Sequence, residues 1–526
     1  MKDLSNGLLY GVDALGRKTP AGEDCPAPRK NRQVGLFYFL WCGEHGRHKP
    51  YDISKIVAKD PQAGYHPEVW GDIGVYHHWG EPFYGYYYSD DEWVIRKHMK
   101  LIMQADVDFL FFDTTNAAIY EKNVKKVMSV LQEYHDEGFK IPRVMFYTNT
   151  QSGKTVQKIY DAIYKPGFCP DTWYRFGEKP LIIAIKEECS DECREFFDIK
   201  KSQWPNEPDK LGGWPWMDFT RPQRVFKNED GVDEVINVSV AQHPQIRFGD
   251  SVLYGETANR GRAFHNGKND ESEGAVNYGY NFAEQFDRAI EADPPVVLVT
   301  GWNEWIAGRW QGIPERPIMF VDCCNCEYSR DLEMMRGGYF DNYFMQLVSY
   351  VRKYKGFAEI PVHADGELAY YPSTSDGAAR RDNDGYGTHY TNDTGRNTIT
   401  GLSVVRSGEN VTFTLESKDQ LTDGDGDFMV LFLKGTKGSF VADGDKLYGI
   451  DDGFIRTPVR DITSERTKKT VSYTLPVKAV TDDGTILFKA ADSNIKYTSV
   501  EDFYDKGDVA PLGRLDFVYR FNNSEG

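Results

Sequence analysis

Residues 296–310 read VVLVTGWNEWIAGRW, an apolar run that ends in a glycine and then an Asn-Glu pair clamped between tryptophans. A glutamate lifted out of a buried strand in this way can exchange a proton with a reacting group or face positive charge at a reacting carbon. Asn303 beside it can hold a hydroxyl, and Trp302, Trp305 and Trp310 offer flat apolar faces of the kind that stack on sugar rings. The chemistry this grouping suggests is cleavage of a glycosidic bond, with Glu304 as general acid/base. The plainer alternative is a set of core tryptophans beside a helix-entry glutamate.

Glycosidic cleavage needs two carboxyl groups, one to protonate the leaving oxygen and one to act as base or nucleophile. The search therefore moves to the ends of the other apolar runs. One leads to Trp41, Glu44 and His45; a second ends in Asp113, Thr115 and Asn116; others end in Tyr147 and Asn149, in Gln242 and His243, and in Asp322. Asp113 is the best-placed partner for Glu304. The ring-rich insertion YHHWGEPFYGYY, residues 76–87, adds His77, His78, Trp79 and Glu81, a composition that shapes substrate clefts or packs as an aromatic plug. Residues 253–267, LYGETANRGRAFHNG, add Glu256, Asn259, Arg260, Arg262 and His265. There an arginine pair beside a carboxylate either clamps an acidic sugar or forms a salt-bridged loop.

These groups converge only on a particular scaffold. Apolar runs at 34–41, 107–113, 143–149, 180–186, 212–219, 235–242, 295–301 and 317–322 read as strands, the fifth being the least regular. Helical periodicity falls between or beside them at 90–105, 121–138, 154–164, 280–292 and 341–354. Alternation of this kind predicts an α/β fold, a (β/α)8 TIM barrel whose strand ends carry the chemistry, with a doubly wound sheet as the alternative. From about residue 361 the texture changes to short alternating runs such as NVTFTLES, FMVLFLKG and KTVSYTLP separated by Gly, Asp and Asn turns. That pattern predicts an all-β antiparallel sandwich. The expected division is a barrel over 1–358 and a β-sandwich over 359–526, packed together because no long Pro/Ser linker separates them.

The 526 residues suffice for two to three domains. Tyr (32), Phe (31) and Trp (11) exceed what packing requires, which favours a ring-lined cleft. With 62 basic against 80 acidic residues the formal charge is −18, and no basic stripe appears. Phosphate backbones and anionic lipid would be repelled, so neither nucleic acid nor a membrane is an expected partner. No run of 18 apolar residues occurs. The first residues lack the apolar core and cleavage site of a secretory signal, so the face-value location is cytoplasmic, or secreted or periplasmic if a leader has been trimmed from the start. Eight cysteines, including Cys189, Cys193 and the group Cys323, Cys324 and Cys326, lack zinc-site spacing and read as reduced thiols. Asp423, Asp425 and Asp427 alternate around glycines, so a structural calcium ion is one expectation there and a simple hairpin turn the other. No cofactor is expected for catalysis.

The motif TGWNEW, together with DFLFFD and VSVAQHP, resembles glycoside hydrolase families 71 and 99 and their 71/99-like relatives over roughly residues 30–355. That resemblance implies a (β/α)8 enzyme acting on α-linked glucans or mannans. In the mannan-cleaving family a second glutamate follows the first by three residues; here that position is Ala307, so the second acid has to come from another strand, from Asp113 or Glu256. The C-terminal region resembles the carbohydrate-binding sandwiches attached to such enzymes. The expected substrate is an oligo- or polysaccharide, contacted by Trp41, Glu44, His45, His78, Trp79, Glu81, Tyr147, Asn149, His243, Trp302, Asn303 and Trp305. Two rivals belong to other classes: a non-catalytic carbohydrate-binding protein, and a metal-dependent hydrolase or deacetylase, for which no H-x-H or H-x-x-E-H pattern speaks.

Overall fold

A computed structural model describes residues 1–5, 7–45, 51–244, 252–255, 258–321, 323–375, 379–383 and 389–522. Its first organising element is a nearly closed nine-stranded sheet. In chain order the strands are β1 (Gln33–Tyr38), β2 (Phe109–Thr114), β3 (Arg143–Thr148), β4 (Leu181–Ala184), β5 (Asp198–Gln203), β6 (Gly213–Pro215), β7 (Val225–Lys227), β8 (Asp233–Ser239) and β9 (Val296–Thr300). The spatial order is β7-β8-β9-β1-β2-β3-β4-β5-β6, with every pairing parallel except the antiparallel edge β7–β8. All of the parallel strands therefore end at one mouth.

Between β6 and β8 no backbone ladder joins the described residues, and side chains bridge the gap instead. Asn237 on β8 donates to the Trp216 and Leu298 carbonyls at 3.0 Å each, and its Oδ1 accepts the Asp218 N–H at 3.2 Å. One buried amide thus satisfies polar groups of both flanking segments, as a buried strand edge requires.

Rings that follow the period-two alternation of strands fill the interior. Phe37 stacks on Phe111 with centroids 4.6 Å apart, and Tyr147 and Trp216 each lie 6.2 Å from Phe37. Gly35 is required beneath them, because a Cβ there would come within 2.2 Å of the Phe109 ring. Helices Glu92–Gln104, Glu121–Asp136, Ser152–Ile159, Tyr280–Ala292 and Asn342–Lys355 agree with the periodicity in sequence. The 154–164 helix differs in its last turn, which is a π-turn over Tyr160–Tyr164.

Two strand assignments are corrected. Arg316–Phe320, expected as the eighth barrel strand, pairs antiparallel with Ile306–Ile313 and, through it, with Tyr76–His78 in a separate four-stranded sheet. β9 pairs directly with β1 instead, and the sheet gains β5 between β4 and β6, whose sequence DIKKSQ is too polar to read as a buried strand. The physical reason lies in the connection: β5 runs to β6 through residues 204–212 with no helix assigned there, so four of its six residues stay partly exposed.

The C-terminal part is β-rich. A five-stranded antiparallel sheet contains Leu368–Pro372, Ile399–Ser407, Asn410–Ser417, Thr463–Arg466 and Thr470–Pro476. A second nine-stranded sheet includes Asp427–Gly435, Thr485–Ser493 and Asp516–Phe521. Tyr371 and Phe413 of the first sheet meet Phe488 of the second at centroid distances of 4.8 and 5.1 Å. Leu9–Tyr10, at the start of the chain, pairs with Asp516–Phe521. This region binds the barrel helices through buried polar contacts: Gln104 exchanges hydrogen bonds with Leu512 at 2.9 and 3.0 Å, and Asp341 accepts from Tyr504 and Arg514 at 2.7 Å each. No helix among the described residues is long and apolar enough to cross a membrane.

Candidate active site at the barrel mouth

A cavity of about 220 Å³ opens where the parallel strands end. Its wall is drawn from Phe37, Phe39 and Trp41 at and after β1, Asp113, Thr115 and Asn116 at the end of β2, and Trp204 after β5. Trp216 and Phe219 after β6, His243 after β8, Glu304 after β9, and Val321 and Arg330 complete it. Strand alternation explains the inward aim of Asp113: it shares parity with Phe109 and Phe111, which fill the barrel below it. Thr115 fixes its carboxylate, donating to Oδ1 from the backbone N–H at 3.0 Å and from Oγ1 at 2.7 Å.

Glu304 is held in a different way. Gly301 and Trp302 exchange backbone hydrogen bonds with Arg330, Leu332 and Glu333 at 3.1 Å, which brings a second segment alongside the first. Arg330, 1 % exposed, donates from Nε to Glu304 Oε2 at 2.8 Å and again from Nη2 to the same oxygen. Its Nη1 donates to His243 Nδ1 at 2.6 Å, and its guanidinium lies 5.4 Å from the Trp216 ring centre. Burial, and then the neighbouring Arg330 charge, hold His243 well below the usual histidine range, so it is a neutral ring whose acceptor nitrogen is turned to Arg330. The buried indole N–H groups of Trp41, Trp204 and Trp216 have no acceptor among the described residues. Each such donor costs about 1–3 kcal/mol, which a ligand bringing acceptors would offset.

The segment SRDLE, residues 329–333, was not singled out from sequence and supplies three buried charges. Asp331 accepts the Glu304 backbone N–H and, at 2.8 Å, the Trp79 indole N–H. Glu333 accepts from Trp305 Nε1 at 2.5 Å and Tyr87 OH at 2.6 Å and meets His98 Nε2 at 2.9 Å. No local pattern in NCEYSRDLEMMR marks these charges as buried. Trp204 and Trp216 were also passed over; a tryptophan just past each strand end was their signal.

Burial pushes the Asp331 carboxyl up to about 7 despite Arg262 and its two donors. Its protonated form is thus favoured by folding, so between about pH 4 and pH 7 the native chain binds more protons here than the unfolded chain. This contribution to stability is complete below about pH 4 and is lost as pH rises to 7, at a slope of roughly 1.4 kcal/mol for each pH interval of one. Denaturant titrations at about pH 4.5 and 7.5 should show Asp331→Asn losing less stability than the unsubstituted protein over that interval. Equal losses would show that Asp331 does not titrate there.

Several expected sugar contacts lie in the core. Trp79, Trp302 and Trp305 are fully buried, and Trp79 stacks on Trp305 at 4.5 Å, so these rings offer no face to a ligand. Asn303 bonds both backbone groups of Phe39, at 2.9 and 3.1 Å, and extends β1 rather than meeting substrate. Tyr147 donates to the Trp214 carbonyl at 2.9 Å beneath the cavity, and Asn149 accepts from Ser202 at 3.0 Å. His78 is buried against Tyr86, burial holding it at about 3, while Glu81 pairs with Lys55 and Arg336 away from the cavity lining. Glu44 is exposed, and His45 stacks on Tyr76 at 4.9 Å beside Trp41. Trp41, Asp113, Thr115, Asn116, His243 and Glu304 are the expected residues that the cavity gathers. Glu256 and Asp322 lie outside the described residues.

The arginine pair is split. Arg262 is buried between Tyr339 and Tyr343, at 4.3 and 4.4 Å from their ring centres, whereas Arg260 lines an open groove with Arg221. The three alternating aspartates diverge. Asp423 pairs with Arg466, Asp425 is exposed, and Asp427 accepts from Arg456 at 2.5 Å and Tyr497 N at 2.9 Å. Among the described residues no group of three such side chains gathers to hold a metal ion.

No protein-family model matches the sequence, and no curated protein does. Solved structures of the GH99 endo-alpha-mannosidase from Bacteroides thetaiotaomicron do match. One, in complex with bis-tris propane, is 17% identical with a TM-score of 0.36; another is 15% identical with a TM-score of 0.37. Each alignment covers 61% of this chain and 97% of the other.

Proposed function

We propose that the protein is a glycoside hydrolase whose (β/α)8-type barrel, residues 1–358, cleaves an oligo- or polysaccharide, and that residues 359–526 form an accompanying β-sandwich. The observation that carries this reading is the convergence of two carboxylates from separate strand ends, Asp113 and Glu304, on one cavity walled by Trp41, Trp204 and Trp216. Aromatic walls suit the apolar faces of a pyranose, and the neutral His243 and the indole donors suit its hydroxyls. A carboxylate gripped by a guanidinium is a poor proton donor. In this mechanism Glu304 therefore serves as the base or nucleophile and Asp113 protonates the leaving oxygen. No step is assigned to a metal.

One observation favours a second reading, carbohydrate binding without turnover: Glu304 is only 2 % exposed and already ion-paired. Product release from a panel of α- and β-linked oligosaccharides and aryl glycosides, run with and without a strong chelator, separates the two. Cleavage that survives chelation is the expected result. Binding with no cleavage would install the second reading, and activity lost on chelation would point to metal-dependent chemistry.

A further inference from the structure

The cavity is smaller than the roughly 300–1,000 Å³ that ligand sites usually occupy, so a glycan of several units must extend beyond it. A group of rings at the cavity edge, with a further ring on the neighbouring strand, marks one way out. Trp41, in the cavity wall, lies 6.4 Å from Tyr76, and His45 stacks on Tyr76 at 4.9 Å with an interplanar angle of 11°. Tyr76 is the cross-strand partner of Gly308 on the strand that leaves the Glu304 segment. Two residues further along, on the same face, stands Trp310, and its indole rests over Gly308: a Cβ there would meet Trp310 Nε1 at 3.3 Å. Gly308 therefore leaves the space in which that ring lies, on the strand face that also carries Tyr76.

Trp310 is 46 % exposed, the one exposed tryptophan of the eleven. A large exposed ring beyond a group of rings that leads from a cavity is placed to stack on a bound sugar. We infer that Trp310 is a distal stacking platform, binding a sugar unit of a glycan chain whose other end occupies the cavity, so that this site takes chains rather than single sugars. The inference rests on the glycosidase reading for the identity of the ligand, but its geometry requires only that a glycan binds.

The test is a length series of gluco- and manno-oligosaccharides, two to six units in both anomeric linkages, with binding measured by calorimetry. The full chain should bind the longer members about tenfold more tightly than the shortest, the worth of one added aromatic contact. Trp310→Ala should collapse that preference and Trp310→Phe should keep most of it. Iodide quenching of tryptophan fluorescence should fall on adding a six-unit chain and not a two-unit one. A length preference unchanged in Trp310→Ala, or affinity lost equally at every length, would overturn the platform even if the wild type cleaves short substrates and the glycosidase reading stands. Absence of binding and cleavage at all lengths would overturn both.

Discussion

Glu304→Gln is expected to lower turnover about 10²- to 10⁴-fold, the range over which positioned acid–base groups contribute, in a chain that still folds but is less stable because the buried Arg330 loses its counter-charge. The amide is isosteric, and its oxygen can still accept from Arg330 Nε, which bonds Glu304 Oε2 at 2.8 Å. The backbone bond from residue 304 to Asp331 does not involve the side chain at all. The readouts are kcat on whichever panel substrate is cleaved and the thermal midpoint of the same samples. A large fall in kcat at constant KM would place Glu304 in the transition state rather than in ground-state binding. Activity within a few fold of wild type would remove Glu304 from the chemistry, whatever its position.

The second large effect is on stability. Arg330→Met removes the guanidinium from Glu304 and from the acceptor nitrogen of His243, inside a site where the side chains of Arg330 and Glu304 are 1 % and 2 % exposed. Breaking a buried ion pair from one side costs roughly 3–5 kcal/mol, mostly because the remaining charge has lost both water and partner. The denaturant midpoint should fall accordingly. Combining Arg330→Met with Glu304→Gln should recover part of the loss, since the neutral amide no longer demands a counter-charge. Strict additivity of the two substitutions would mean that the pair contributes no coupling, and that Arg330 matters through Trp216 and packing instead.

How far sequence led to this site depended on the kind of signal each residue left. Glu304 and Asp113 were legible because an apolar run ending in an acid is unusual, and the alternation of Phe109, Phe111 and Asp113 fixes direction as well as place. The tryptophans beside Glu304 misled because a ring's chemistry says nothing about its exposure. Trp302 and Trp305 became core once the 330–333 segment paired beside them, an approach of residues some thirty positions apart that no local pattern encodes. Arg330, Asp331 and Glu333 were overlooked for the same reason, each reading locally as surface charge. In the barrel, β5 was hidden by its polar residues. Arg316–Phe320 read as a buried parallel strand because a hairpin and a buried strand share the same short apolar run, and only the turn at Pro314 and Glu315 distinguishes them. The C-terminal alternation gave the β character directly.

The pairing of Leu9–Tyr10 with Asp516–Phe521 gives the chain a property that concerns its synthesis. A ribosome delivers Leu9–Tyr10 well before Asp516–Phe521, so the first of these strands must wait, unpaired, until the second emerges. A nascent chain halted before residue 516 would leave Leu9–Tyr10 as an open strand edge, a ready template for association with a neighbour. The β-rich sheet is therefore built from two parts of the chain that are far apart in sequence, and neither of these strands finds its place without the other.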